Sequence, residues 1–158
     1  MGVVQGARYA YFALAWAFVA GLVLQVFFIG LGLFNGAEYR ETHAWFGWTI
    51  LHLSPLLILV ATPLAHAARA RILQAVGLAV IVWIVPILAA VRADLPLAAA
   101  FHPVGALLAF WLATVMARGA TSLIGSADTE RSPTRTEWAI VVVVVVVLVF
   151  LSFSGSPT

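Results

Sequence analysis

The chain predicts an all-α polytopic membrane protein, an antiparallel four-helix transmembrane bundle followed by a fifth, C-terminal transmembrane helix. Composition points there first: hydrophobic residues make up 64% of the 158 residues, charged residues only 9%, and the mean hydropathy is +1.10. A soluble globular domain does not carry that balance. The apolar residues also gather in five runs close to the twenty residues needed to cross about 30 Å of hydrocarbon. Between the first four runs the polar segments are short, which makes consecutive helices antiparallel neighbours.

The first span is expected from about Tyr9 to Phe34. Its apolar run is too long for a signal-peptide core and shows no small-residue cleavage site before Asn35, so it reads as a permanent span. Gly6 stands where a myristoylation signal needs Ser or Thr. Ala10, Ala13, Ala17, Ala20 and Gly21 recur at three- and four-residue steps, followed by Gly30 and Gly32, the pattern that lets helices approach closely in lipid. Gln25 lies mid-span, where an amide needs a hydrogen-bond partner, and is expected to face the interior.

The second span is expected from about His43 to Ala65, the third from Ile72 to Val91 and the fourth from Leu97 to Met116. Pro55 and Pro86 each remove a backbone donor and predict kinks. The three units are then 1–118 for the four-helix bundle, 119–137 for a polar cytoplasmic linker and 138–158 for a C-terminal anchor with a short tail. The linker reading rests on Arg118, Gly119, Gly125, Ser126, Asp128, Glu130, Ser132 and Pro133. The fifth span, about Trp138 to Phe153, contains valine at every position from Val141 to Val147 and reads as an anchor or a contact surface for another subunit.

Charge sets the expected orientation. Arg8, Arg69, Arg71, Arg118, Arg131 and Arg135 fall on one side of the spans and Arg40 and Arg92 on the other, so the N-terminus is expected inside and the C-terminus outside. The chain has no lysine, and with its alanine and valine load this predicts a GC-rich bacterial genome and the bacterial inner membrane. The net charge of +2 is scattered over span ends, which membrane orientation explains without a nucleic-acid partner. No cysteine is present, so disulfides, thiolate metal sites and iron–sulfur clusters are excluded in this chain.

The four histidines carry the functional expectation. His43 and His102 sit near the starts of the second and fourth spans, on the same expected outer face, and the two spans are diagonal in a square bundle. Two imidazoles at matching depth across that gap can hold one metal centre, a heme b iron above all. Gly47, Gly105 and Ala106 are small residues beside them that leave room for a porphyrin. Arg40 and Arg92 stand at the same level and can pair with propionates. His52 is the alternative partner for His102; it lies about 13.5 Å deeper than His43 and about half a turn around the helix. The blander readings are that His43 belongs to an interfacial belt with Trp45 and Trp48, that His102 merely opens a helix before Pro103, and that His66 beside Arg69 and Arg71 is interfacial. His52 and His66 are spaced as His102 and Met116 are, like the stacked ligand pairs of diheme b-type cytochromes, with Met116 in place of the fourth histidine.

The stretches Leu24-Gln25-Val26-Phe27 through Gly30-Leu31-Gly32, His43 with Gly47, and Phe101-His102-Pro103-Val104 with Ala106-Leu107-Leu108 resemble an uncharacterised family of small bacterial four-span membrane proteins, over roughly residues 8 to 118. They are more loosely similar to heme A synthase and four-helix b-type cytochromes, which implies a heme between the second and fourth helices. The chain departs from heme A synthase in having half its spans and no extended outer segment with a catalytic carboxylate.

Three functions are therefore expected in competition. One is a heme-b electron-transfer protein facing quinone. A second is a cofactor-free accessory or assembly subunit of a larger respiratory or photosynthetic membrane complex, docking through the valine-rich fifth helix. The third is a transporter using the outer histidines with Glu38, Glu41 or Asp94, which lacks a charged core path or an inverted repeat. An independent enzyme is not expected: Ser54 and Thr62 are intramembrane hydroxyls of the kind that bond back to their own helix, and no phosphate loop or zinc-protease motif is present.

Overall fold

Long uninterrupted apolar runs become long helices, and a computed structural model describing residues 2–125 and 132–154 contains five that are long and apolar enough to cross a membrane. No strand occurs among the described residues. Helix α1 (Val3–Phe34) is 32 residues long, or about 48 Å at 1.5 Å per residue. It starts ahead of the expected Tyr9, running through Gly6 to the buried Arg8.

The second span is built in three pieces, α2 (Glu38–Phe46), a π-helical turn (Gly47–Leu51) and α3 (Ser54–Leu64). Pro55 lies in the first turn of α3, where its missing N–H is tolerated. The preceding turn widens instead, closing with His52 N–H on Gly47 O at 2.9 Å, an i to i−5 bond. The expected disturbance at Pro55 therefore takes the form of a π turn. At the far end Ala67 N–H bonds Thr62 O at 3.2 Å and His66 N–H bonds Pro63 O at 3.0 Å, a Schellman closure with His66 in the left-handed region at φ 55°.

Helix α4 (Arg69–Ala90) carries Pro86 within it and runs into a 3₁₀ turn at Val91–Ala93. A one-turn helix α5 (Pro96–Ala99) precedes α6 (Phe101–Gly125), so the fourth span is broken at Ala100 and His102 lies in the first turn of α6. Helix α6 continues well past Met116, with Ala117, Ala120 and Leu123 buried, so Arg118, Gly119 and Gly125 are helical rather than linker. Ser126, Asp128 and Glu130 lie outside the described residues.

Helix α7 (Arg135–Ser154) begins at a reciprocal capping box: Thr134 N–H donates to Glu137 Oε2 at 2.7 Å and Glu137 N–H to Thr134 Oγ1 at 3.2 Å. The helix is not isolated. It lies against α3 and α4, burying Val141 and Leu148 while Val142, Val143, Val146, Val147 and Phe150 are exposed.

Around the bundle, α1 packs on the second span and on α6, and α4 packs on the same two; among the described residues neither diagonal pair packs together. The interior is filled at one end by Tyr11, Phe18, Leu59, Ile72, Leu78, Met116 and Leu123. That assignment overturns the alanine part of the small-residue stripe expected for α1. Ala10, Ala13, Ala17 and Ala20 are exposed, and the buried face runs through Arg8, Tyr11, Ala15, Phe18, Val19 and Gly21. The rings of Tyr11 and Phe18 fill the centre of a four-helix interior that alanines would leave hollow. Of the stripe, Gly21 and Gly32 serve close packing, since a Cβ would meet Leu51 Cδ2 at 2.8 Å at the first and Arg40 Cγ at 2.7 Å at the second.

Candidate functional site

The other end of the bundle is less completely filled. A cleft of about 230 Å³ opens there between the diagonal spans, lined by Gln25, His43, Ala44, Gly47, Trp48, Pro86, Ala89, Ala90, Arg92 and His102. Four separate spans contribute, because Gln25 comes from α1, His43 from the second span, Pro86 from the third and His102 from α6.

The two imidazoles expected to pair do come together, with ring centroids 6.4 Å apart and planes inclined at 67°. Each is fixed by its neighbour's backbone. His43 Nδ1 lies 3.0 Å from Gln25 O, and His102 Nδ1 lies 2.8 Å from Val85 O. A carbonyl oxygen only accepts, so both rings carry their proton on Nδ1 and present an Nε2 lone pair. Metal-binding histidines are held in this way, with the second nitrogen donating to a carbonyl or carboxylate.

The two lone pairs differ in their surroundings. His102 Nε2 has no hydrogen-bond partner among the described residues. His43 Nε2 lies 3.3 Å from Gln25 Nε2, and the same carboxamide nitrogen donates to His43 O at 2.8 Å. Gln25 Oε1 is buried without a partner. Gly47 makes room for this arrangement, since a Cβ at that position would come within 2.7 Å of Gln25 Nε2.

The remaining expected site residues are placed differently. Arg92 reaches the cleft, with Nη1 3.5 Å from Ala89 O. Arg40 is drawn away: its Nε donates to Gly32 O at 3.0 Å and its stem covers Gly32. Gly105 and Ala106 are not among the cleft-lining residues. Gly105 faces Val85, whose Cγ2 would lie 2.7 Å from an added Cβ, so its role is the close approach of α6 to α4. The carbonyl that holds His102 belongs to that same Val85.

His52 does not join the pair. Its ring is 4% exposed and stacks between Trp48 at 4.9 Å and Trp83 at 5.1 Å, each tilted by 43°. Neither of its nitrogens has a hydrogen-bond partner. Among the described residues no group of three or more His, Cys, Asp or Glu side chains is arranged to hold a metal, so what this end of the bundle offers an ion is two imidazoles.

Sequence reasoning placed Gln25 in the interior but missed its bond to His43. A partial signal was available: Gln25 and His43 both lie within about three turns of the loop that joins their helices, the end of the hairpin where their side chains can reach one another. No family model, no curated protein and no solved structure matches the chain.

Proposed function

We propose that the protein is a b-type-cytochrome-like membrane protein for electron transfer, in which His43 and His102 would hold a heme between the second and fourth spans. One observation carries the reading, the 6.4 Å separation of two imidazoles that are both protonated on Nδ1 and anchored to carbonyls. A metal–nitrogen bond of about 2 Å on each side, with about 1.2 Å from each nitrogen to its ring centre, separates two opposed imidazoles by about 6.4 Å. When bound, the heme would supply one-electron redox chemistry. The chain's own residues supply the two ligands, and Arg92 at the cleft supplies a cation for a propionate.

At about 230 Å³ the cleft is smaller than the roughly 300–1,000 Å³ of enclosed small-molecule sites. A macrocycle held here would require the Gln25 amide to leave His43 Nε2 and the cleft walls to move apart. In the arrangement proposed, the four spans insert antiparallel into a bacterial inner membrane with the N-terminus cytoplasmic and the cleft toward the outside. The six-to-two division of arginines supports that orientation.

The decisive measurement is the visible spectrum of the detergent-purified protein, oxidised and dithionite-reduced. A Soret band with sharp reduced α and β bands that disappears in His43→Ala and His102→Ala is expected. A colourless protein from heme-replete cells would overturn the heme reading. It would leave the accessory-subunit reading, which is favoured by the continuous apolar face of Val142, Val143, Val146, Val147 and Phe150 on α7.

A further inference from the structure

We infer that the groove between α1 and α6 is a docking site for one apolar transmembrane helix of a separate subunit, seated there as α7 is seated against α3 and α4. This surface is independent of whatever the histidines hold.

The bundle is one helical hairpin built twice. In each half a histidine of the second helix donates from Nδ1 to a carbonyl of the first, His43 to Gln25 O and His102 to Val85 O. In each half a glycine one turn further on makes room for the side chain of that same first-helix residue, Gly47 for Gln25 and Gly105 for Val85. The buried positions repeat at constant offsets. Ala15, Phe18 and Val19 of α1 correspond to Ala75, Leu78 and Ala79 of α4. Leu51, Pro55, Ile58, Leu59 and Thr62 of the second span correspond to Ala109, Ala113, Met116, Ala117 and Ala120 of α6. The second span has one residue more between its histidine and this face than α6 has, and the π turn at Gly47–Leu51 absorbs it. An approximate two-fold axis therefore passes between His43 and His102, exchanging α1 with α4 and the second span with α6.

The fifth helix breaks this symmetry. Helix α7 lies against α3 and α4, with Val141 and Leu148 buried. Its cover shows as added burial on that side at the same offsets. Leu56 and Pro63 are buried where the equivalent Thr114 is partly exposed and Thr121 fully so. Val76 and Trp83 are half-buried where the equivalent Trp16 and Val23 are 39% and 55% exposed. Trp16, Val23, Thr114 and Thr121 thus line the counterpart of the groove that α7 fills. Trp16 Nε1 donates to Thr121 Oγ1 at 3.1 Å, which ties the two walls together. A second copy does not suit the groove. The outward face of α7 and the groove lie on opposite sides of the two-fold axis, so pairing one with the other is head-to-tail and does not close. Helices associate in lipid by packing, so the helix that fits is one with the aliphatic face that α7 itself presents to the bundle.

The test uses the full chain in phospholipid nanodiscs and, as the probe, a fluorescent peptide of residues 134–154, which has the chemistry expected of the partner. Photo-crosslinkers are placed at Val23 and Thr114 in the groove, at Val76 on the α7 side, and at the exposed Leu108 on another face of α6. Saturable one-to-one binding with label at Val23 and Thr114 is expected, weakened by about tenfold in Thr114→Trp, whose ring fills the groove. Val23→Trp gives the same reading if Thr114→Trp does not fold. Equal label at Leu108, or binding no tighter than that of a polyleucine helix of the same length, would overturn the docking site and leave the groove to lipid. Label at Val76 alone would overturn it too, because the peptide would merely have replaced α7. Crosslinks between two copies of the chain through Val23, without peptide, would overturn the separate subunit in favour of self-association.

Discussion

The carbonyl of Val85 holds His102 through a 2.8 Å bond to Nδ1, and the side chain of the same valine packs over Gly105, one helical turn further along α6. One residue of α4 thus sets both the ring and the helix that carries it. Gly105→Val should force α6 away from α4, and over-packing of this kind costs about 1–3 kcal/mol. A fall in the detergent thermal midpoint, together with weaker hemin retention than in Ala106→Val, is expected. Equal hemin retention in the two variants would mean that the approach at Gly105 does not position His102.

His66 occupies a left-handed conformation at φ 55° in the Schellman closure of α3. A side chain there is disfavoured by about 1–2 kcal/mol, and glycine gives back part of the gain through its greater unfolded-state freedom. His66→Gly is expected to stabilise the protein by about 0.5–1 kcal/mol, seen as a higher unfolding midpoint with the visible spectrum unchanged. A loss of stability would show that the imidazole makes a compensating interaction.

His52 separates the two possible ligand pairs. Its ring is buried with both nitrogens unpartnered, and a buried polar group without partners costs about 1–3 kcal/mol relative to a satisfied one. His52→Leu should therefore be neutral or stabilising in thermal denaturation, and a heme spectrum should survive it. Loss of the six-coordinate spectrum in this variant would move the ligand assignment from His43 to His52.

Thr134 and Glu137 exchange hydrogen bonds at the start of α7. Removing an N-cap hydroxyl costs about 1 kcal/mol, so Thr134→Ala should fray the first turn. Amide hydrogen exchange should accelerate at residues 135–138, roughly fivefold for that energy, while α1 to α6 remain protected. Exchange unchanged at those amides would show that packing against α3 and α4 holds the turn without the cap.

The T-x-x-E pattern at Thr134 to Glu137 was legible in the sequence as a capping box, and it places the start of α7 at Arg135, ahead of Trp138 where the apolar run begins. Likewise Ala117, Ala120 and Leu123 continue the buried face of α6, which is why that helix runs to Gly125 although its arginine and glycines resemble a linker. Hydropathy marks where a helix becomes apolar, and the helix itself extends beyond that point wherever its next turns can still pack or be capped. Pro55 announced a disturbance in the second span; that it takes the form of a π turn over Gly47–Leu51, with Gln25 of α1 against Gly47, is seen only in the structure.

By itself the sequence determined five apolar helices, from the length of their runs, and the placing of His43 and His102 at corresponding ends of two diagonal spans. Those features depend on run length and on counting turns along a helix, which need no knowledge of neighbours. Only the tertiary structure decided that α1 buries Tyr11 and Phe18 while its alanines face outward, that His52 turns into an indole sandwich, that Gly105 serves Val85 and that Gln25 engages His43. In helices apolar on nearly every face, hydropathy has no phase, so the choice of buried face rests on volume complementarity and on which few polar groups can find one another.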